Sequence, residues 1–306
     1  MIYTVTFNPS IDYYLYLDQL DKNQINRVPS YEYVAGGKGI NVSRMLANLD
    51  VANECVFFAG GFTGQFLVDE VSQNPLITVN AIPVDQPSRI NVKIRHDGET
   101  DLNSKGAPLT DKNVKDLLET MKKVKEDDVV CICGSLQSKD LISSIVEISK
   151  NLKQAKAKLV LDVPNMTLQD IVECQPYLIK PNLEELQDLL KSEKPFPEIL
   201  EEAKEQFIHK GVSGILLSLG KDGGCYISEK EVYKVNGPSL KPLNTVAAGD
   251  SMLAATIGMM SKNMSVKEAV QWGAACGSAA VLVPYIPTKQ QVEDMLKQIS
   301  IEVGNE

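Results

Sequence analysis

The sequence predicts an α/β fold, a parallel sheet covered by helices on both faces, with a small separate sheet attached. From about residue 110 onward, short apolar runs alternate with amphipathic stretches, the pattern of strands whose faces are both buried under helices. The first hundred residues instead carry half-polar, alternating runs that suit a sheet with one face in solvent. A chain of 306 residues, 43% hydrophobic and 23% charged, is long and apolar enough to bury a large core.

The separate sheet draws on Tyr13–Leu17, Tyr31–Val34 and Arg89–Arg95, so its strands fall at about 12–35 and 88–105, where it would form a lid or an interface. In the second part Val129–Cys133, Lys158–Asp162, Tyr177–Lys180 and Ile215–Ser218 read as buried strands. Helices are expected near 139–151, 182–190, 265–283 and 288–299, and Trp272 is expected in the core.

A net charge of −9 and a pI near 5.0 leave no basic stripe for nucleic acid, so an anionic ligand must be captured locally. Six cysteines are scattered without zinc or disulfide spacing and read as reduced core residues. Two histidines, His96 and His209, give a Ser-His-Asp hydrolase or a His-rich metal centre little to work with. No apolar run reaches membrane-spanning length and Met1–Phe7 has no secretory pattern, so a cytoplasmic enzyme is expected.

The segment Asn244–Ser251 carries the most chemistry. Small residues there open an apolar run, Met252 to Met260, that reads as a helix. First-turn amides of a helix lack internal partners and sit at the positive end of its dipole, so those near Ala248, Gly249 and Asp250 can hold an anion. Asp250 is placed to take a proton from an attacking hydroxyl, although the same pattern suits an ordinary Asp cap. Gly36-Gly37-Lys38-Gly39 followed by Asn41 lets backbone approach a polar ligand, with Lys38 supplying charge and Asn41 reading a hydroxyl. This is neither a dinucleotide fingerprint nor a P-loop, so ATP, if used, is held on another scaffold. Asp12, read as lying at the carboxyl end of the first strand, suits sugar hydroxyls or a plain turn.

Taken in order, Thr4–Asp12, Gly36–Val42, Lys180–Leu186, Ser218–Gly224 and Asn244–Ser251 resemble the ribokinase-like PfkB carbohydrate kinases, in particular their 1-phosphofructokinase and tagatose-6-phosphate kinase branch. The resemblance covers the whole chain and implies a Rossmann-like three-layer α/β/α domain with a β-sheet lid, a homodimer through that lid, and dependence on ATP and Mg2+. It implies that Asp250 is the catalytic base and Ala248-Gly249-Asp250 its anion hole, with Ala247 part of the same catalytic turn. Asn182 and Glu185 would organise Mg2+ and phosphates, with Glu185 acting indirectly, while Ser218, Gly220, Gly223 and Gly249 would contact the nucleotide. Asp12, Gly37, Lys38, Asn41 and Ser135 would bind the sugar, and Arg89 and Arg27 its existing phosphate, Arg27 in its own or a neighbouring subunit's site. The implied reaction is phosphorylation of fructose 1-phosphate to fructose 1,6-bisphosphate, with tagatose 6-phosphate or fructose 6-phosphate as alternatives and a non-catalytic binding protein as the alternative of another class. Three loops depart from the family pattern: Ala247 stands where glycine is usual, Gln137-Ser138-Lys139 replaces a proline turn, and Val163-Pro164-Asn165 replaces Thr-Ser-Gly.

Overall fold

The alternation along single strands explains why the core runs look continuously apolar. In Val129–Cys133, Val130 and Ile132 enter one apolar core, while Val129, Cys131 and Cys133 enter the other. The computed structural model describes residues 1–304. Along the chain, β1 (Ile2–Thr6) leads into β2 (Ser10–Tyr16) and β3 (Ser30–Gly36), then α1 (Lys38–Asn48), β4 (Asn53–Ala59), α2 (Gly61–Val71) and β5 (Ile77–Pro83). A second visit away from the core follows as β6 (Arg89–Arg95) and β7 (Glu99–Leu102). The chain returns through α3 (Asp111–Met121), β8 (Val129–Cys133), α4 (Ile142–Ala155), β9 (Lys158–Asp162), α5 (Leu168–Cys174), β10 (Leu178–Ile179), α6 (Leu183–Leu190) and α7 (Ile199–Gln206). It closes with β11 (Gly214–Ser218), β12 (Gly224–Ser228), β13 (Val232–Asn236), α8 (Ala248–Ser261), α9 (Val266–Ala280), α10 (Lys289–Leu296) and β14 (Ser300–Val303).

Ten strands form one sheet in the order β14-β13-β12-β11-β10-β9-β8-β1-β4-β5, parallel from β5 to β11 and antiparallel from β11 to β14. Helices α3 to α7 pack on one face and α1, α8, α9 and α10 on the other, which is the expected three-layer arrangement. Strand order reverses at β1, which lies between β4 and β8, and the carboxyl ends of strands at such a switch point leave a crevice. The second sheet, β3-β2-β6-β7, projects from the same end, because β2 begins four residues after β1 stops.

Several expectations are corrected. The first hundred residues divide between the two sheets: β1, β4 and β5 belong to the large sheet, and β2, β3, β6 and β7 stand apart with β6 against β2 in parallel. Asp12 is the third residue of β2 rather than the carboxyl end of the first strand. Trp272 is half-buried at the margin of the second core. The edge strands β12 to β14 had no counterpart among the expected elements. All six cysteines are buried and free.

Candidate active site

Helix α8 is apolar on every side and buried from Asp250 to Met259, so its position is set by packing. Gly273 and Gly277 of α9 bring the two helices close: a Cβ at Gly277 would lie 3.2 Å from the Ala248 carbonyl oxygen and 3.4 Å from Met252 Cβ. The residue before α8 is Ala247, held at φ 62° and ψ 2°, a left-handed conformation that costs a non-glycine residue about 1 kcal/mol. Asn244 braces this turn, accepting from the Val246 N–H at 2.8 Å and donating to the Pro284 carbonyl at 2.7 Å. Among the described residues neither the Gly249 nor the Asp250 N–H has a protein acceptor, so both are free to meet an anion.

Asp250 lies beside those amides, 6% exposed, with Oδ2 accepting from Asn41 Nδ2 at 2.8 Å. Asn41 is in the first turn of α1, and that helix fits against β1 because Gly37 and Gly39 lack side chains. A Cβ on Gly37, at φ 123°, would come within 2.9 Å of Thr6 Cγ2, and one on Gly39 within 3.0 Å of the Val5 carbonyl oxygen. Lys38, between them, reaches Asp162 Oδ1 at 3.0 Å, and Lys180 stands 3.5 Å from Asp162 Oδ2. Asp162 Oδ2 is buried without a hydrogen bond. A Cβ on Gly249 would sit 3.2 Å from Lys180 Nζ, so the lysine ammonium lies against the start of α8.

This cluster explains the protonation of Asp250. Burial, then the nearby Asp162 charge, push its carboxyl up to about 6, while Lys38, the Asn41 hydrogen bond and Lys180 pull the other way. Burial alone would lower Lys38, but the carboxylates of Asp162 and Asp250 outweigh it and raise the ammonium. A carboxylate that titrates near neutrality beside two ammonium groups and two free amides can accept a proton next to a bound anion. Asp162 and Lys180 were not among the expected site residues. Each is a charge ending an otherwise apolar strand run, Leu159 to Asp162 and Leu178 to Lys180, and that signal was available.

Asn182 and Glu185 form a reciprocal cap on α6: Asn182 Oδ1 accepts from the Glu185 N–H and Glu185 Oε2 accepts from the Asn182 N–H, both at 2.8 Å. Ser218, at the end of β11, is bridged to Asn182, so these two elements meet at the strand ends. Gly220 and Gly223 shape the β11–β12 turn at φ 59° and 86°, and a side chain at Gly223 would collide with the Val235 carbonyl. A cleft of about 820 Å³ runs along Asp162, Lys180 and Glu185, and another of about 580 Å³ is lined by Leu219, Lys221, Asn236, Phe196 and Lys234.

Asp12 accepts from Ser10 Oγ and Asn91 Nδ2, both at 2.9 Å, and presses against Gly36, where a side chain would not fit. Arg89 donates to the Asn8 and Ser104 carbonyls at 3.0 Å, leaving its buried Nε unpaired. Arg27 is exposed on the loop between β2 and β3, and among the described residues no hydrogen bond or ion pair joins it to the cluster. Ser135 follows Gly134 at the end of β8, and nearby Gln137 Nε2 donates to the Phe7 carbonyl at 2.7 Å, tying the altered turn to the end of β1.

The family described as pfkB family carbohydrate kinase matches residues 5–289. The chain is similar to the 1-phosphofructokinase of Bacillus subtilis (strain 168), 32% identical over 301 residues covering 98% of this chain and 99% of that one. It is similar to the D-tagatose-1-phosphate kinase of Bacillus licheniformis, 31% identical over 303 residues covering 98% and 99%. The phosphofructokinase-2 from Escherichia coli, solved in complex with substrates and products, superposes with a TM-score of 0.90 at 26% identity over 97% of this chain and 98% of that one. With a family match across nearly its whole length and the architecture of a solved phosphofructokinase, the chain belongs to the pfkB family of carbohydrate kinases.

Proposed function

We propose that the protein transfers the γ-phosphoryl group of ATP to fructose 1-phosphate, giving fructose 1,6-bisphosphate. The observation that carries the reaction is the buried Asp250 carboxylate, raised to about 6, next to the unpaired N–H groups of Gly249 and Asp250. Asp250 takes the proton of the free primary hydroxyl as its oxygen attacks phosphorus in line, and the α8 amides with Lys180 meet the negative charge on the transferring group. Lys38 and Asn41 keep Asp250 ionised and oriented. Asp162 Oδ2, which accepts no hydrogen bond, and the Glu185 oxygen outside the α6 cap fit the hard-oxygen chemistry of Mg2+ and would help hold it beside the nucleotide phosphates. Bound there, Mg2+ would neutralise phosphate charge. Ser218, Gly220 and Gly223 border the side on which the nucleotide lies, with the 580 Å³ cleft beyond them for its base.

For the acceptor, Asp12 and Asn91 on the inner face of the second sheet read sugar hydroxyls, with Gly37 and Ser135 lining the same end. Arg89 meets the phosphate already present. The likeness to the Bacillus subtilis 1-phosphofructokinase over nearly all of both chains favours fructose 1-phosphate. The almost equal likeness to a D-tagatose-1-phosphate kinase makes tagatose 1-phosphate the second reading, ahead of the 6-phosphates.

Beyond Ile11 and Ala35, which are buried in the core, the other face of the second sheet carries open aromatic rings: Tyr31 is 58% and Tyr33 53% exposed, both within about 6.5 Å of the Tyr13 ring and of each other. A second copy packed there would bury these rings and make the sheet both lid and dimer interface, with Arg27 then available to a neighbouring site. No helix among the described residues is long and apolar enough to cross a membrane, and an ATP consumer of this kind works in the cytoplasm.

The test is ADP formation with Mg-ATP across fructose 1-phosphate, tagatose 1-phosphate, tagatose 6-phosphate and fructose 6-phosphate. Fructose 1-phosphate should give the highest kcat/KM. A preference for either 6-phosphate would overturn the substrate assignment while leaving the reaction class in place.

A further inference from the structure

The segment between α9 and α10 is stitched to three parts of the molecule. Its Val281 carbonyl accepts from the Leu243 and Asn244 N–H groups at 2.7 and 3.3 Å, and its Pro284 carbonyl from Asn244 Nδ2 at 2.7 Å. Its Pro287 carbonyl accepts from Asn48 Nδ2 at 3.0 Å, which ties it to the end of α1, the helix that carries Asn41. Between these anchors Tyr285 points its ring edge-on at Tyr14 of the second sheet, with centroids 5.7 Å apart and planes at 76°. Tyr14 is buried on the inner face of β2, two residues from Asp12, with the Arg95 guanidinium 5.3 Å from its ring centroid and Arg95 itself paired to Asp101 at 3.0 Å. The Tyr285 hydroxyl is buried with no hydrogen-bond partner, so the ring and not the hydroxyl makes the contact.

From Tyr285 the path to the anion-holding amides is short and covalent or hydrogen-bonded throughout. Pro284 is its chain neighbour, the Pro284 carbonyl holds Asn244, and Asn244 Oδ1 holds the Val246 N–H beside the left-handed Ala247 that starts α8. An alanine kept at φ 62° depends on such braces, because the free chain favours negative φ. We propose that Tyr285 is a positioning residue that couples the seating of the second sheet, through Tyr14, to the geometry of the α8 amides. The proposal rests on the reading of those amides as the holder of the transferring phosphoryl group. It implies that a sugar phosphate bound under the sheet tightens the phosphoryl site through a packed aromatic contact.

The experiment is a double-mutant cycle on the full chain with steady-state kinetics and thermal melts, comparing Tyr285→Phe, Tyr285→Leu, Tyr14→Leu and the two leucine changes combined. Tyr285→Phe should match the wild type. Tyr285→Leu and Tyr14→Leu should each lower kcat by roughly three- to tenfold with the KM for ATP little changed, the scale of one edge-on aromatic pair. The double variant should be no worse than the poorer single one. Losses that multiply, a Tyr285→Phe as impaired as Tyr285→Leu, or leucine variants that turn over normally would each overturn the coupling. Should Tyr285→Leu fail to fold, Tyr14→Leu alone carries the same expected fall in kcat. Wild-type protein that phosphorylates no ketose phosphate would sink the kinase reading, whereas normal wild-type turnover with unaffected variants sinks only the coupling.

Discussion

The rim of the large sheet and the second sheet that projects from it both present charged and aromatic groups, but they hold them differently. At the rim, Lys38, Asp162, Lys180 and Asp250 are drawn together from α1, β9, the end of β10 and α8, and three of the four are at least nine-tenths buried. The protonation of Asp250 is therefore set by its surroundings: its carboxyl is raised to about 6 because burial and the Asp162 charge outweigh two ammonium groups. On the second sheet the polar groups of the inner face are fixed by hydrogen bonds to backbone and neighbouring side chains, while its outer tyrosines lie open. In the proposed reading, burial makes the rim the reactive part, and exposure leaves the sheet's outer rings available to a second copy. Changes at the rim should alter rate and pH dependence, and changes on the outer sheet should alter association.

The largest expected effect is at the rim. Asp162→Asn removes the carboxylate that both Lys38 and Lys180 face and should lower kcat by about 10²- to 10³-fold. It also removes the like charge that raises Asp250, so the acidic limb of the rate profile should move to lower pH. An unmoved limb would separate Asp162 from the proton-transfer group. On the sheet, Tyr33→Asp puts a charge on the open aromatic face and should weaken self-association by roughly ten- to a hundredfold, read by analytical ultracentrifugation. If the rim and the sheet are as separate as their geometry indicates, that variant keeps the wild-type pH profile.

A third prediction concerns sign. The Asp250 carboxyl is raised above its ordinary 3.8 to about 6, so the folded state holds this proton more tightly than the unfolded state. Its contribution to stability is complete below the unfolded value and is lost as pH rises through about 6. Asp250→Asn should consequently be more stable than the wild type at pH 8, by about 1 to 3 kcal/mol, with the difference shrinking at acid pH. Denaturant melts at two pH values check it. In the wild type, kcat/KM should rise about tenfold per pH unit below that same value and then level. The smallest effect is expected at Ala247→Gly, where relief of the left-handed backbone is partly offset by a freer unfolded chain. A gain of at most about 1 kcal/mol with kcat within twofold is expected.

How much was legible follows from where the physics is local. The helix start at Ala248, the glycines around Lys38 and the buried strands with their apolar runs are encoded within a few residues, and they were read close to where they stand. Ala247 is a departure visible in the sequence itself, and its φ of 62° shows that alanine takes a left-handed conformation of the kind glycine favours. What was missed depends on which strands lie side by side. Asp162 and Lys180 become partners only because β9 and β10 lie side by side, and nothing near either residue names the other. Assignment of β1, β4 and β5 to the large sheet likewise rests on long-range pairing, with β4 as half-hidden by its Asn53 and Glu54 as β2 is by its tyrosines. Asn182 and Glu185 form a helix cap, with one Glu185 oxygen outside it, and a sequence spacing that suits a metal element suits such a cap equally.

The most direct test is ADP formation from Mg-ATP and fructose 1-phosphate by Asp250→Asn beside the wild type, with binding of both ligands measured on the variant. Turnover should fall by about 10³-fold or more with ligand affinities little changed, because the asparagine keeps shape and the Asn41 contact yet cannot take a proton. An Asp250→Asn protein that retains turnover within about tenfold of the wild type would contradict the assignment of Asp250 as the base and, with it, the α8 site as the place of phosphoryl transfer.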